Sequence, residues 1–381
     1  MKIKTIFSAL ALMIIASTAS AKAPKVVKTP AQQLKERLAK LQKRGIMYGH
    51  QDDPFYGLTW EYEDGRSDTK DLVGDYPAVM GFDLGGIEKG DAKNLDSVPF
   101  TRIHDEIVNH HERGGIITIS WHPRNPYIGT TAWIESDIKA YVEALPYLDK
   151  IGMNHNVLPN PQHTVRSILP GGDKHQLFMT WLERITNFMK TLKDSKGNTI
   201  PVIFRPWHEY NGAWFWWGNS NCSAAEYKAL WNMTQDYVNA QLPGAIVWSN
   251  SPNLGVNQND FLERWPGDDR VDLLGLDAYQ WGTETAFKMQ CEADMAFLAK
   301  YAEEHNLLLA LTECGMKNSP NPVWWGSVLN PIMKKYPVCY FLPWRNYIEE
   351  HFGAAPGIST ADDFKALVKA KAFMLLKDIK K

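Results

Sequence analysis

The 381-residue sequence predicts a (β/α)8 barrel, an α/β fold in which eight parallel strands close into a ring. Short apolar segments alternate with longer segments, such as Ala224–Gln241 and Glu292–His305, whose apolar residues recur at helical spacing. The predicted strands are Ile46–His50, Ala78–Asp83, Ile116–His122, Val202–Glu209, Ile246–Asn250, Leu273–Tyr279, Leu307–Glu313 and Val338–Trp344. An open doubly wound sheet is the alternative, but no glycine-rich phosphate loop follows any of these strands.

Polar side chains at the ends of these strands are the second observation behind the barrel. In chain order they are found at Gly49–Asp53, Asp83, Trp121–His122, His208–Glu209, Asn250 and Asn253, Asp277 and Tyr279, Thr312–Glu313, and Trp344–Asn346. Barrel enzymes carry their active sites at the carboxyl ends of the strands. A barrel with a purely structural role would show no such bias, so the pattern favours an enzyme.

The first residues of the chain have the pattern of an export signal. Lys2 and Lys4 precede an apolar stretch over Ile6–Ala16, and Ala19–Ala21 offers small residues for cleavage. The apolar stretch is too short to span a bilayer as a permanent helix. We therefore expect an exported protein, periplasmic or secreted, with no stable membrane insertion after cleavage. The expected divisions are a signal peptide over 1–21, a linker over 22–28 and a single catalytic domain over 29–381.

Composition and charge narrow the classes of partner. The formal net charge of −2 argues against nucleic acid. The apolar share of 44% supports the large core that one barrel domain needs. The spacing of the cysteines matches no zinc motif, and one or two disulfides could form in an exported chain. The four cysteines are Cys222, Cys291, Cys314 and Cys339.

The segment Pro201–Gly218 has the highest density of chemically active side chains. It opens as an apolar strand and then brings Arg205, His208 and Glu209 close together. The tryptophans of this segment are Trp207, Trp214, Trp216 and Trp217. Sugars match such a site because their rings present C–H faces to indoles and hydroxyls to charged groups. A core strand with an incidental glutamate is the alternative, but such a strand would not end in so many polar groups that need partners.

Two glutamates, Glu209 and Glu313, end the fourth and seventh predicted strands and can face each other across the barrel mouth. Retaining glycosidases need two carboxyl groups about 5–5.5 Å apart, and this chemistry requires no metal or other cofactor. One group protonates the leaving oxygen while the other attacks the anomeric carbon, and the first then activates water. Each glutamate alone could instead form a structural ion pair with Arg205 or Arg345. The presence of both favours catalysis.

The motif Arg205–Gly212, followed by Trp214–Trp217, resembles the signature of glycoside hydrolase family 26. The β-mannanases of that family belong to the large barrel clan with catalytic glutamates on strands four and seven. Tyr210 departs from the pattern, since the family often has methionine there, and we expect it to alter packing or a contact at the rim. Shorter motifs match in order along roughly residues 46 to 346, namely Tyr48–Asp53, Ser120–His122, Leu311–Gly315 and Trp344–Asn346.

The resemblance implies a retaining mechanism in which Glu209 is the acid/base and Glu313 is the nucleophile. It also implies that His208 tunes or orients Glu209 and that Tyr279 donates a hydrogen bond to Glu313. The chemistry needs Glu209 to hold a proton while Glu313 stays ionised. The expected substrate-binding residues are His122, Trp121, Arg205, His208, Trp214, Tyr279, Trp344, Arg345 and Asn346.

Strand geometry offers a second interpretation of His208. Neighbouring side chains on a strand point to opposite sides, so His208 faces away from Glu209 unless a bulge changes its direction. A hydrogen-bonded structural histidine is the alternative to a catalytic role.

A long insertion separates the third and fourth predicted strands by about 80 residues. The excess, around Pro123–His175, is rich in Pro, Gly, Asn and His and contains Trp133. Loops of this length in a barrel usually shape the binding cleft. In the family that the sequence resembles, such loops can close the cleft at its non-reducing end and lead to release of disaccharide. We expect such a block here, and an extra helix outside the barrel is the alternative.

The expected substrate is β-1,4-linked mannan, glucomannan or galactomannan and their oligosaccharides, cleaved mainly to mannobiose. Relatives within the fold act on mixed-linkage β-glucan or β-1,3-xylan, so another β-glycanase is the first alternative. A glycan-binding protein without activity is the second, and the presence of both glutamates disfavours it. A dinucleotide-dependent oxidoreductase would need a glycine-rich loop that the sequence lacks.

Overall fold

The computed structural model describes residues 27–126, 131–134, 161–348 and 350–380. The predicted signal peptide and most of the predicted linker lie outside these residues. The strands of the described residues belong to one sheet. They are β1 (Ile46–Gln51), β2 (Val79–Asp83), β3 (Ile116–Trp121), β4 (Val202–Pro206), β5 (Ile246–Asn250), β6 (Leu273–Tyr279), β7 (Leu308–Gly315), β8 (Val338–Pro343) and β9 (Phe373–Met374).

Strands β1 to β8 close into a parallel barrel. Each strand pairs with the next, and β8 returns to β1 where Tyr340 pairs with Met47. These pairings confirm the predicted (β/α)8 fold. The short β9 adds to β1 at Ile46 and Met47, the end of β1 that is remote from His50. Two residues are too few to give a strand pattern in the sequence.

Helices alternate with the strands. The helix that follows β4 has the predicted bounds because Ser223 and Glu226 form a capping box at its start. The predicted helix 292–305 instead begins at Glu284, where the Thr283 side chain caps it. The α-helices are α1 (Pro30–Gln42), α2 (Asp68–Val73), α3 (Phe100–Glu112), α4 (Pro161–Ile168), α5 (His175–Thr191), α6 (Ala224–Gln241), α7 (Gln258–Arg264), α8 (Glu284–Glu304), α9 (Asn330–Met333), α10 (Ala361–Lys369) and α11 (Leu376–Ile379).

The two ends of the barrel are filled differently. At the amino end, α1 contacts β1, β5 and β8, and its Leu38 belongs to a buried apolar cluster that includes a residue from every strand of the ring. These residues are Met47, Val79, Ile116, Ile203, Val247, Leu273, Ala310 and Tyr340. Two residues further along three of the strands lie Arg205, Ser249 and Thr312, which alternation directs into the same interior. Polar groups therefore collect at the carboxyl end.

The four cysteines are buried thiols, and no disulfide joins them. Burial raises the pKa of Cys222, Cys291 and Cys339 to about 12, so these thiols stay protonated and behave as core residues. The disulfides that the export signal allows are therefore absent. None of the helices in the described residues is both long and apolar enough to cross a membrane.

Candidate active site

A cavity of about 560 Å³ opens at the carboxyl end of the barrel, where the polar strand ends meet. Both glutamates that the sequence singles out line it, together with aromatic and charged side chains from the surrounding loops. The lining residues are Leu95, Asp96, His122, Trp133, Glu209, Trp214, Phe215, Asn253, Tyr279, Trp281, Glu313, Lys317, Trp344, Arg345, Glu350 and Phe352.

Glu209 reaches the cavity through an irregular segment after β4. The regular strand ends at Pro206 instead of at the predicted Glu209, and Trp207 and Glu209 have left-handed φ angles of 54° and 53°. Such conformations cost about 1–3 kcal/mol each and persist where the surroundings impose them, often at functional sites. The amide of Glu209 donates to the carbonyl oxygen of Ser251 at 2.8 Å, which fixes the segment against the end of β5.

Glu313 lies within β7, and side chains from two other strands, β6 and β4, hold its carboxyl group. The Tyr279 hydroxyl, at the end of β6, donates to Glu313 Oε2 at 2.7 Å. The Arg205 guanidinium, on β4, pairs with Glu313 Oε1. Glu313 thus forms an ion pair with Arg205, and its partners stabilise the ionised carboxylate. Tyr279 occupies the position that the family resemblance implies.

Arg205 is itself fixed beneath the cavity. Its Nη1 lies 2.8 Å from Asp277 Oδ2 and also donates to the Ser251 hydroxyl at 3.2 Å. Asp277 accepts a further hydrogen bond from Thr312 at 2.7 Å. The side chain of Arg205 is only 3% exposed, so it positions Glu313 from below and does not line the cavity. The predicted role of Arg205 as a direct substrate ligand is therefore replaced by one of support.

The surroundings of Glu209 favour a protonated carboxyl group. Burial raises the pKa of Glu209 well above its usual value, and the nearby charges of Asp277 and Glu313 raise it further. The Trp214 indole donates to Glu209 Oε2 at 2.7 Å, and this hydrogen bond opposes the shift. A carboxyl group that keeps its proton at neutral pH can act as a general acid.

A chain of buried hydrogen bonds runs from Asp83 to the two histidines. Burial alone lowers the pKa of His122, but the Asp83 carboxylate, 2.6 Å from His122 Nδ1, raises it above its usual value. Burial, the Arg205 charge and His122 hold the pKa of His208 well below its usual value. The two histidines share a hydrogen bond across the 2.9 Å between their Nε2 atoms, and the opposite pKa shifts mean that His122 keeps a second ring proton to higher pH than His208 does.

The position of His208 corrects one predicted role. His208 Nε2 lies 3.9 Å from Glu313 Oε1, and its hydrogen bond goes to His122. It makes no hydrogen bond to Glu209 within the described residues, where the Glu209 side chain instead accepts from Trp214. His208 therefore belongs to the nucleophile side of the site and does not orient Glu209.

Two further predicted ligands lie outside the cavity. Alternation along β3 directs Trp121 away from the barrel interior, where it packs against Trp207 at 5.0 Å between ring centroids. Asn346 is buried and binds Asp68 Oδ2 through its amide at 3.0 Å, while its oxygen accepts from the amide of Gly353 at 2.9 Å. Both residues support the site without facing substrate.

Aromatic rings form two walls of the cavity. His122 stacks on Trp133 with ring centroids 5.4 Å apart, and Trp344 meets His122 edge-on at 6.0 Å. On another side, Trp281 stacks on Tyr279 at 5.6 Å and remains 72% exposed. Trp133 and Trp281 were not among the predicted ligands. The spacing of two residues between Tyr279 and Trp281 is the sequence signal that could have identified Trp281.

Three potential metal ligands also come together here. Within the described residues, His122, His208 and Glu313 form the one cluster whose ligand atoms lie within 4.8 Å of one another. Their contacts with each other and with Arg205 account for this arrangement without an ion.

The fold and the site define a class of protein. The protein is a (β/α)8 barrel in which two glutamates, from the ends of the fourth and seventh strands, line one aromatic cavity. This arrangement is typical of a glycoside hydrolase. Comparison with known proteins then places the chain within that class. It belongs to glycosyl hydrolase family 26, whose family model matches residues 24–366.

Individual relatives agree with this assignment. A solved structure of a GH26 β-mannanase from Bacteroides ovatus is 36% identical, with a TM-score of 0.83, and the match covers 93% of this chain and 98% of that one. A mannan endo-1,4-β-mannosidase from Bifidobacterium adolescentis is 31% identical over 264 residues, which are 66% of this chain and 24% of the relative. The relative of the same name from Bacillus subtilis strain 168 is 25% identical over 73% of this chain and 68% of its own length.

Proposed function

We propose that the protein is a retaining β-mannanase that hydrolyses β-1,4-mannosidic bonds in mannan, glucomannan or galactomannan and in their oligosaccharides. The observation that carries the proposal is that two glutamates in one cavity have opposite environments. The surroundings of Glu209 favour the protonated carboxyl group, whereas Glu313 forms an ion pair with Arg205. The names of the relatives, mannan endo-1,4-β-mannosidase and β-mannanase, support mannan as the substrate.

The two glutamates divide the reaction into two steps. Glu313 attacks the anomeric carbon while Glu209 gives its proton to the glycosidic oxygen, so the C–O bond breaks and a glycosyl ester forms on Glu313. Glu209, now a carboxylate, takes a proton from water, whose oxygen attacks the same carbon and releases Glu313. The sum is the addition of one water molecule with retention of configuration.

Glu313's neighbours suit this sequence of steps. Arg205 and Tyr279 hold its two oxygens before attack, which limits rotation of the carboxylate. The aromatic faces of Trp133 and Trp344 beside His122 suit the C–H face of a pyranose ring.

We also propose that the cleft is closed at its non-reducing end, so that mannobiose is the main product. The length of the insertion after β3 supports a restricted cleft, because residues 131–134 pair with the segment Trp214–Trp216 and bring Trp133 into the cavity wall. Most of the remaining insertion, 127–130 and 135–160, lies outside the described residues.

Product analysis on mannohexaose and galactomannan tests these proposals, with mixed-linkage glucan and β-1,3-xylan as comparison substrates and Glu313→Ala as the inactive control. Mannobiose as almost the sole early product supports both the substrate and the closed cleft. A spread of oligosaccharides keeps the substrate and rejects the closed cleft. Activity only on a comparison glycan rejects mannan as the substrate. NMR in the first minutes of the reaction shows the anomeric configuration of the product, and an inverted configuration rejects the retaining mechanism.

The protein is further proposed to be exported. Residues 1–21 carry the charge, apolar stretch and small-residue site of a signal peptide, which support cleavage after Ala21. Amino-terminal sequencing of the protein from a periplasmic or culture fraction tests this. A chain that retains Met1 in the cell interior would contradict it.

A further inference from the structure

Asn221 lies outside the catalytic cavity, behind the loop that follows β4, and its side-chain amide holds that loop on both sides of Trp214. Asn221 Nδ2 donates to the carbonyl oxygen of Phe215 at 2.7 Å and to that of Ala213 at 3.0 Å. A primary amide has two N–H donors, so both are used on the residues that flank Trp214. Because Asn221 is only 6% exposed, water competes little for these hydrogen bonds.

The position of the Trp214 indole depends on this main chain. Trp214 is 36% exposed, so packing constrains it less than it constrains the buried tryptophans of the same loop. Its ring lies against Gly212, where a Cβ atom would come within 2.4 Å of the ring carbons. The Trp214 carbonyl oxygen accepts from the amide of Ile134 at 2.8 Å, and its indole donates to Glu209 Oε2 at 2.7 Å. The hydrogen bond to Glu209 therefore comes from a side chain whose place is set largely by its own main chain.

Asn221 is itself anchored to the helices outside the barrel, since α6 begins three residues later. Arg264, in α7, donates through Nη2 to the carbonyl oxygens of Cys222 at 3.1 Å and of Asn219 at 3.3 Å. These carbonyl groups lie on either side of Asn221 in the chain. Arg264 is buried and forms an ion pair with Asp260 at 2.8 Å, which fixes its guanidinium. Asn221 thus connects a fixed part of the structure to the loop that carries Trp214.

We propose that Asn221 is a positioning residue of the active site, whose two hydrogen bonds hold the main chain around Trp214 so that the indole donates to Glu209. This inference rests on the proposed function, in which Glu209 is the acid/base. It deepens that function by assigning a role in it to a residue outside the cavity. Asn221 acts only through Trp214.

The proposed role predicts a change in the pH dependence of the reaction. The hydrogen bond from Trp214 lowers the pKa of Glu209, so a displaced indole lets that pKa rise. The acid then keeps its proton to higher pH. The charged and titratable groups that face Glu209 from β4, β6 and β7 stay in place in every variant below, so a shift reports the indole. These groups are Arg205, Asp277, Tyr279 and Glu313.

Asn221→Ala removes both donors and tests the role on mannohexaose. We expect the alkaline limb of kcat/KM to move upward by about half a pH unit, less than for complete loss of the indole, because the ring stays near Glu209. The kcat at the optimum should remain within about threefold of the wild type. Asn221→Leu is close to asparagine in volume but carries no donor, so it should give the same shift and serves if the alanine variant does not fold.

Ser220→Ala is the matched control, since Ser220 precedes Asn221, is exposed, and donates through its hydroxyl to Asn219 Oδ1 at 3.3 Å. It should leave the pH profile unchanged. A folded Asn221 variant with the same pH profile as this control would mean that Asn221 only stabilises the loop, and it would overturn the positioning role.

A variant that combines Asn221→Ala with Trp214→Phe separates the route through Trp214 from any other. If Asn221 acts through the indole, its removal has no further effect once the indole is gone. The alkaline limb of the combined variant should then match that of Trp214→Phe alone. Shifts that add would mean that Asn221 reaches Glu209 by another route, and they would overturn the proposal.

NMR signals of the indole N–H groups, in protein labelled at its tryptophan nitrogens, test the link independently of activity. The Trp214 signal is identified by its absence in Trp214→Phe. In Asn221→Ala we expect this signal to shift and its proton to exchange faster with water. An unchanged Trp214 signal would overturn the positioning role alone, whereas a wild type that cleaves no β-mannan would overturn the proposed function and the role of Asn221 in it.

Discussion

Glu313 and Glu209 face the same cavity from opposite strands, and the groups around them differ. Glu313 has a charged partner at one oxygen and a phenol at the other, Arg205 and Tyr279. For Glu209 the described residues provide one side-chain hydrogen bond, from Trp214, next to the negative charges of Asp277 and Glu313. The first environment stabilises a carboxylate and the second a neutral acid.

The difference follows from where each residue lies on the barrel. Glu313 is within β7, so side chains from the interior of the ring reach it from both sides. Glu209 lies three residues beyond the end of β4, in a left-handed conformation, where the barrel no longer supplies cationic partners at contact distance. A strand position therefore gives a fixed, ion-paired carboxylate, and a loop position at the mouth gives a desolvated acid.

Glu313→Gln is the change expected to have the largest effect. The amide cannot attack the anomeric carbon, so kcat on mannohexaose should fall by about 10⁴- to 10⁶-fold, as for the loss of other nucleophiles. Thermal unfolding close to that of the wild type would show that the barrel remains folded. Residual activity within tenfold of the wild type would remove Glu313 from the role of nucleophile.

Glu209→Gln should have a smaller effect that depends on the leaving group. Loss of general acid and base catalysis costs about 10²- to 10⁴-fold on mannohexaose. An aryl mannobioside with a good leaving group needs no protonation, so its first step should stay fast and a burst of aryl product should precede slow turnover. Azide, which needs no general base, should restore turnover as a glycosyl azide. Equal losses on both substrates would argue against the acid/base role.

Glu209→Gln should raise the stability of the protein at neutral pH, although it lowers the activity. Folding raises the pKa of Glu209, so the folded state keeps a proton that the unfolded state loses. Stability is therefore highest below the unfolded-state pKa and falls as the pH rises towards the folded-state pKa, by about 1.4 kcal/mol per unit of difference. Glu209→Gln removes this loss, so we expect a higher Tm than the wild type at pH 7 and a smaller difference at pH 4.

Much of the fold could be predicted from the sequence because strand and helix patterns are local. β5 and β6 have their predicted bounds, and the ring of eight follows from regular alternation. The error at β4 has a tertiary cause. Val202–Pro206 continues a strand pattern into Trp207–Glu209, but the Ser251 contact and two left-handed residues end the strand early.

The site was less predictable where a side chain's direction decides its role. Trp121 stands next to His122 in a motif, yet alternation separates them, one behind β3 and one in the cavity. Trp133 reaches the cavity only because residues 131–134 pair with the loop after β4, a contact over 80 residues of sequence that no local pattern records. Asp83, which fixes His122, was recognised as a strand end but not as its partner.

Tyr279→Phe sharpens the comparison by removing one partner of Glu313. A hydrogen bond to a charged group contributes about 1.5–3 kcal/mol, so kcat should fall roughly 10- to 150-fold on mannohexaose. The stacking with Trp281 should persist because the ring remains. Tyr301→Phe on the outer helix α8 is the matched control and should leave kcat unchanged. A similar kcat for both variants would show that Arg205 alone positions Glu313.

Trp214→Phe removes the one hydrogen bond that the described residues make to the Glu209 side chain, and it should give the smallest change in rate at the optimum. The indole donates to Glu209 Oε2 and lowers the pKa of that carboxyl group, so its removal should raise the pKa further. The acid then keeps its proton to higher pH, and the alkaline limb of kcat/KM should move upward by about one pH unit. A downward shift would mean that water entering beside the smaller ring stabilises the Glu209 carboxylate more strongly than the indole does.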